Sequence, residues 1–574
     1  MASFGRPTLV IVFVALGLAT VCTLVAAYYN ARYLETHPYY GDTASYTWWD
    51  FEACFRARQE GRWAAVWHEA TTNNRRPFRL IPVLAMNPEW LSSGNGHLIT
   101  AGFALGCFLG MLGLAAYQRS GSFAYALVAL CSILLARSLF DPIQGLAANH
   151  PDFVAALFVG SAYLSLLLSD QGRRNGYLVA FGVFASLAAL SRWVAAAHTF
   201  FVCAPPLAYY LILRWRAGDR LRWQIAWKLL CIALPIALLA GYYLAAFTHD
   251  NLQFYSACGY ALGSPMERSL DNLRSTCGAY LGRTGYLGLA ALCIAYFIYR
   301  WRDRASWADL VVTAWAPIAF AFLFVVILKV SGDPQQPFYE IVLLHIFLIT
   351  PFAARRDAAP PRVFTHRFAP AAIAVIFGVA AWSLYAVGQA RSQPPARDAA
   401  ELTFQISLAN LLIEQGGASP EGGRHPTFDT FFHPDGRSLV LQACSRQGER
   451  LCWRQIFEKH DLMWRVQYPG MQSQQIAEEA YRRVLDRIDY VAILDDPYAK
   501  AAESLFWDDY RNVQAIAQEV IRYINERLRT DVREWSYCGQ VESPWGMVSL
   551  YRRGSSSNMT ARYSTARGTS ALVE

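Results

Sequence analysis

Residues 1–390 are dominated by uninterrupted apolar runs, each about 17–24 residues long. A helix needs about 20 such residues to cross the hydrocarbon core of a bilayer. Inside lipid only helices and closed barrels satisfy every backbone N–H and C=O, and barrel strands alternate polar with apolar. These runs do not alternate. They predict a membrane bundle of helices, with spans near 8–28, 98–117, 123–140, 152–169, 176–191, 194–213, 225–247, 285–299, 307–329, 337–354 and 368–388. Residues 391–574 read instead as an ordinary soluble sequence. Only 16% of the whole chain is charged, against about 25% for a soluble domain.

The net charge of +8 is explained by where the arginines stand. With the N-terminus inside, the cytoplasmic segments hold Arg6, Arg119, Arg173, Arg174, Arg214 and further arginines to Arg367, while the short outer loops hold Arg192, Arg268, Arg274, Arg283 and Lys329. That is the positive-inside bias. No nucleic-acid-binding signature accompanies it. About eleven spans, an odd number, place the C-terminal part outside. The parity depends on Arg192 separating 176–191 from 194–213. The expected fold class is a membrane all-α bundle with a C-terminal extracytoplasmic α/β domain. Its parts are 1–390 with a long first outer loop (29–97), then 391–553, then a disordered tail (554–574).

Six cysteines fall outside both spans and cytoplasm: Cys54, Cys258, Cys277, Cys444, Cys452 and Cys538. An even number in an oxidising compartment suggests disulfides. Cys258–Cys277 and Cys444–Cys452 are the local pairings, and Cys54–Cys538 would tie the first loop to the soluble domain. The outward cysteines and the Ala- and Arg-rich composition fit a bacterial inner membrane with a periplasmic C-terminal domain. In the outer loop, 44–70 reads as an amphipathic helix at the membrane interface. In the soluble part, 389–398 reads as a linker, 438–442 and 490–494 as strands, 474–487 and 509–529 as helices, and 535–542 with 546–552 as a hairpin.

Polar residues able to do chemistry gather on the outer face. Asp42, in Tyr39-Tyr40-Gly41-Asp42-Thr43, is either the cap of a helix, a functional carboxylate, or both. Arg75, Arg76 and Arg79 suit phosphate or anionic headgroups, or they snorkel. Asp141 and the run Asn149-His150-Pro151-Asp152 stand at outer span ends, as caps or as ligands for a metal, a phosphate or an acceptor. Arg192, with His198 nearby, is a charge between two apolar runs, which costs several kcal/mol unless paired. Lys329 and Asp333 bracket the last outer loop. Converging, these loops would form a polar cleft suited to a lipid-linked phosphate.

The layout resembles the GT-C superfamily of polyprenyl-phosphate-sugar glycosyltransferases. The resemblance is carried by the long first span, the early Asp42, and the run Arg76-Pro77-Phe78-Arg79-Leu80 through Asn87, Gly94 and His97. Two features set the chain apart from particular branches. Asp42 is followed by Thr43, not the Glu of the lipid A aminoarabinose and protein O-mannosyl branches. Trp48-Trp49-Asp50 matches the oligosaccharyltransferase Trp-Trp-Asp in letters but stands in the first loop. The resemblance implies transfer of a sugar from a polyprenyl phosphate to a glycan, lipid or protein acceptor, with inversion. Asp42 would be general base, and Arg75, Arg76, Arg79 or Arg192 would hold the leaving phosphate. His150, Asp152, Asp141 and Lys329 remain for acceptor, phosphate or metal, and a divalent ion such as Mg or Mn stays an open cofactor. The rival readings are a lipid or ion transporter, a membrane acyl- or phosphotransferase, and an assembly factor with a periplasmic partner.

Overall fold

The computed structural model describes residues 6–34, 41–73, 76–92, 95–135, 137–140, 145–146, 149–216, 222–261, 315, 369–391, 396–415, 427–431, 452–453, 473–502 and 514–554. They belong to two compact units, one of residues 1–37 with 49–394 and one of 38–48 with 395–574.

In the first unit α1 (Arg6–Leu34) lies along α6 (His97–Ser120). The approach is close because α6 presents glycines: a methyl group on Gly102 would stand 2.6 Å from Thr23 Oγ1, and one on Gly113 2.7 Å from Ile11 Cγ2. Small residues of this kind let helices pack where lipid supplies no hydrophobic drive. Next come α7 (Phe123–Cys131), α8 (Pro151–Leu168), α9 (Asn175–Ser191), α10 (Trp193–Arg216), α11 (Arg222–Leu239) and α12 (Gly241–Ala261). Every residue of α8 is buried, with α6, α9 and α10 around it. Its Ser161 and Ser165 hydroxyls turn back onto the carbonyls of Leu157 and Ser161, both at 2.8 Å, so the helix carries no unmet hydroxyl into the core.

Four described helices are long and apolar enough to cross a membrane, at 7–30, 97–118, 151–168 and 193–216. Shorter apolar helices stand at 123–134, 175–191 and 373–382. Two expectations change in form. The span at 225–247 is a pair of helices bent by 69° at Ala240. Pro235 inside α11 and Gly241 at the start of α12 are the breakers, and both residue types weaken the helical ladder. The span at 123–140 loosens after Cys131 into 3₁₀ turns at Ser132–Leu135 and Arg137–Phe140. Arg192 separates α9 from α10 with an extended backbone, φ −159° and ψ 129°, as the parity requires. The spans at 285–299, 307–329 and 337–354 lie outside the described residues.

The loop between α1 and α6 holds two helices, α2 (Gly41–Glu60) and α3 (Arg62–Thr72), in place of one helix over 44–70. Gly61 breaks them at φ 93°, where a side chain is disfavoured. The loop has its own core: Ala53, Cys54 and Ala57 of α2 meet Ala65 of α3, Leu80 just before α4 (Ile81–Met86), Val83 and Leu84 within α4, and Leu91 of α5 (Glu89–Ser92). Cys54 packs in this core as a small apolar residue, and neither it nor Cys538 is in a disulfide among the described residues, unlike the expected Cys54–Cys538 pairing. The Cys258–Cys277 pair, Cys444 and the Cys452 side chain lie outside the described residues.

α13 (Ala369–Arg391) and α14 (Ala396–Glu414) leave only 392–395 between them. The linker expected at 389–398 is therefore mostly helix, because its flanks are rich in good helix formers. In the second unit a five-stranded sheet has the order β2-β1-β3-β5-β4. The strands are β1 (Thr427–Phe431), β2 (Cys452–Trp453), β3 (Tyr490–Leu494), β4 (Trp535–Ser543) and β5 (Gly546–Arg553). β1 runs parallel to β2 and β3, and β5 is antiparallel to β3 and β4. α14 covers this sheet, with Leu411 3.1 Å from the methyl position of Gly539 and Phe404 edge-on to Trp545. α15 (Ser473–Arg487) packs on α16 (Gln514–Thr530), which buries Ala517, Val520, Ile521, Ile524 and Leu528. That is one helical stripe. Residues 438–442 and 555–574 lie outside the described residues.

The α9–α11 contact offers a direct test. A methyl group on Gly182 would stand 2.5 Å from the Ile232 carbonyl oxygen, whereas nothing lies within 4 Å of one on Gly110. Gly182→Ala should cost about 1–3 kcal/mol through overpacking, seen as a lowered melting midpoint in detergent. Gly110→Ala should leave the midpoint nearly unchanged. Equal midpoints for the two variants would refute this packing.

Candidate active site

Where the helices end, the polar residues meet. α6 and α8 begin at this end of the bundle, and α9 gives way to α10 there. The 3₁₀ turn Pro77–Arg79 seats Arg79, whose carbonyl accepts a hydrogen bond from Thr100 Oγ1 of α6 at 3.0 Å. Its Nη1 lies 2.6 Å from Asp50 Oδ1 and donates to Asn149 Oδ1 at 2.6 Å. Asn149 Nδ2 donates to the other Asp50 oxygen, also at 2.6 Å. Only this orientation of the Asn149 amide serves both partners. The triangle joins α2, the loop of residues 73–79 and the entrance to α8.

Next along the chain, His150 caps α8 and Asp152 stands in its first turn, where the helix dipole favours a negative charge. One oxygen of Asp152 takes both Arg192 Nη1 and, at 3.0 Å, His150 Nδ1. The Asp152 N–H also approaches His150 Nδ1, at 3.4 Å. A nitrogen cannot donate to one partner and accept from the other, so Nδ1 serves the cap or the carboxylate at any one time. His198, on α10 below Arg192, contacts the Val194 carbonyl through Nδ1 at 3.1 Å.

Arg76 lies over the Trp49 ring, 3.9 Å from its centroid. Its own N–H donates to Asn73 Oδ1 at 3.0 Å, and Asn73 Nδ2 donates to Glu69 Oε2 at 2.9 Å. Glu69 meets Arg56 of α2 at 3.5 Å. At the other side of the loop, Asn30 of α1 donates to Asn95, just before α6, at 2.8 Å.

Of the residues singled out in the sequence, Arg76, Arg79, His150, Asp152 and Arg192 are thus gathered at one place. Asp42 stands in the first turn of α2, with its side chain outside the described part; Arg75, Asp141 and Lys329 also lie outside it. Among the described residues no group of three His, Cys, Asp or Glu side chains could hold a metal ion. Sequence reasoning missed the roles of Asp50, Trp49 and Glu69. Asp50 had a signal: it precedes Ala53, Cys54 and Ala57 by three, four and seven positions, so a carboxylate occupies the buried stripe of α2.

No family model matches the sequence, and no curated protein matches it. Among solved structures, ArnT from Cupriavidus metallidurans bound to undecaprenyl phosphate superposes with a TM-score of 0.54, over 96% of this chain and 98% of that one, at 13% identity. The apo form of ArnT gives 0.51, over 92% and 97%, at 13% identity. The chain thus shares the fold of ArnT. At this identity the likeness to ArnT is one of fold, and the reacting groups must be argued from the side chains.

Burial sets the chemistry of Asp50. It pushes the carboxyl from its ordinary value of 3.8 up to about 6, against the opposing pull of Arg79 and Asn149. A group raised in this way favours the folded state most when protonated. Its contribution is complete below the ordinary value and is lost as pH rises through about 6. The expected sign is a carboxylic-acid carbonyl band in the infrared that fades with a midpoint near 6 and is missing from Asp50→Asn. A band that fades near 4, the range of an exposed carboxylate, would overturn this reading.

Proposed function

We propose that the protein is an integral-membrane glycosyltransferase of about eleven spans. It moves a sugar from a polyprenyl-phosphate donor to an acceptor on the outer, periplasmic face of a bacterial inner membrane. Its C-terminal α/β domain lies on that side and helps to position the acceptor. One conjunction carries the reading: a GT-C fold similar to ArnT bound to undecaprenyl phosphate, together with arginines gathered at the outer helix ends. A transporter site would be expected nearer mid-membrane, at broken helices.

The reaction follows from the groups. The acceptor hydroxyl oxygen bonds to the anomeric carbon as the bond from that carbon to the phosphate oxygen breaks. The bonding electrons leave on the polyprenyl phosphate, which needs no acid to protonate it, unlike the leaving group in a glycosidase. Attack opposite the leaving phosphate inverts the centre. Asp42 takes the hydroxyl proton as general base. Donors among Arg75, Arg76, Arg79 and Arg192 meet the charge growing on the phosphate. His150, Asp152, Asp141 and Lys329 complete the polar lining.

Transfer from radiolabelled polyprenyl-phosphate sugars in membranes tests the class. Asp42→Asn should insert normally and lose about 10²–10⁴ in rate. Full activity in that variant would remove Asp42 from the mechanism. An inactive native chain, with every donor tried, would reject the transferase reading.

A further inference from the structure

The second unit carries a polar and aromatic cluster that the reaction above does not use. On β5, Ser549 and Tyr551 are two positions apart and so share one face of the sheet. Ser549 pairs with Ile493 of β3, and Tyr551 with Tyr537 of the edge strand β4. Asp495, two positions beyond Ile493, continues that face. α16 lies over it. Asn525 Nδ2 donates to the carbonyls of Leu494 at 3.3 Å and Asp495 at 3.0 Å, which fixes the end of β3. Arg529, one turn further along α16, donates through Nη2 to Asp495 Oδ1 at 2.8 Å and through Nε to the Tyr551 hydroxyl at 3.4 Å. Ser549 Oγ donates to the same Asp495 oxygen at 2.7 Å.

The inner edges of this cluster are occupied and the outer ones are open. Among the described residues, Asp495 Oδ2 and Arg529 Nη1 have no hydrogen-bond partner. The Arg529 side chain is 53% exposed and that of Asp495 20%. Beside them Tyr537 stands edge-on to Tyr551, with ring centroids 5.8 Å apart, and is 57% exposed. Partial burial and then the charge of Asp495 raise its phenol above the ordinary value, which places the carboxylate within electrostatic reach of the ring. An open carboxylate oxygen accepts from one sugar hydroxyl, and an open guanidinium nitrogen donates to the next. The apolar C–H face of a pyranose can then lie on the aromatic ring. A phosphate suits the cluster less well, because Asp495 repels it. We propose that Asp495, Arg529 and Tyr537 form a carbohydrate subsite, with Asn525 and Ser549 as positioning residues that hold the carboxylate in place. Resting on the transferase reading above, its occupant is the glycan portion of the acceptor.

The test uses the full chain in lauryldimethylamine oxide, a detergent whose headgroup carries no sugar. Maltotriose, mannotriose and N-acetylchitotriose are titrated in turn, with binding read by saturation-transfer NMR. At least one should bind with a dissociation constant of about a millimolar. Tyr537→Ala should weaken that binding about tenfold or more, whereas Tyr537→Phe should bind within about threefold of native, since the sugar lies on the ring and not on the hydroxyl. Asp495→Asn should also lose about tenfold, the difference between a charged and a neutral acceptor. Tyr537→Ala and Asp495→Asn should both keep a melting midpoint near native, because the ion pair and the ring stand largely in water. Binding lost as fully in Tyr537→Phe as in Tyr537→Ala, or a midpoint that falls in step with the affinity, would assign these residues a structural role and overturn the proposal. So would a native chain that binds none of the three sugars, or one from which inorganic phosphate at equal concentration displaces them. The two readings fail separately. A native chain that transfers sugar but binds no oligosaccharide here refutes the subsite alone. One that binds an oligosaccharide through Tyr537 and Asp495, with no donor supporting transfer, keeps the subsite and rejects the transferase.

Discussion

Ionisable groups held out of water at the end of a helical bundle need partners. Two carboxylates and three arginines stand there with little exposure, and the desolvation of each costs several kcal/mol before any partner is found. The partners come from separate parts of the chain: Asp50 from α2, Arg79 from the 3₁₀ turn after α3, Asn149 and Asp152 from the entrance to α8, Arg192 from the break between α9 and α10. The network exists only if the loop folds back over the bundle. The small core of Ala53, Cys54, Leu80, Val83, Leu84 and Leu91 fixes that return. The complete burial of α8 fixes the platform on which it lands.

Much of the bundle was legible because the bilayer dictates length and polarity locally. Runs of about 20 apolar residues can do little else, so the helices at 7–30, 97–118, 151–168 and 193–216 appear where hydropathy places them. β3 was legible as a short apolar run and the hairpin of β4 with β5 from its turn. The bend at Ala240 was not, because Pro235 and Gly241 sit inside a run apolar enough for a single span. The linker was read from its prolines, although the residues on either side favour helix.

The site divides along the same physical line. Arg76, Arg79, His150, Asp152 and Arg192 could be named because charged residues beside apolar runs are costly and so conspicuous. Asp50 could not be placed, since its partner Asn149 is 99 positions away and no local pattern encodes that distance. Its neighbours in sequence suggested a motif from another branch, whereas its neighbours on the helix face showed a carboxylate buried in an apolar stripe. The periodicity was the better guide, because it reports the side chain's surroundings and the letters do not.

Trp49 and Asp50 are consecutive in α2, and Arg76 and Arg79 bracket one short turn, yet the two pairs have different physics. On a helix, adjacent residues point about 100° apart. Trp49 thus meets one arginine with a π face and Asp50 meets the other with a carboxylate. A π face attracts the cation without cancelling its charge, whereas a carboxylate at 2.6 Å does cancel it. Two neighbouring positions of one helix thereby give two arginines of one loop different partners, one aromatic and one carboxylate. The division needs only that α2 stay helical through residue 50 and that the turn after residue 76 stay tight, and these are the local features that the loop core secures.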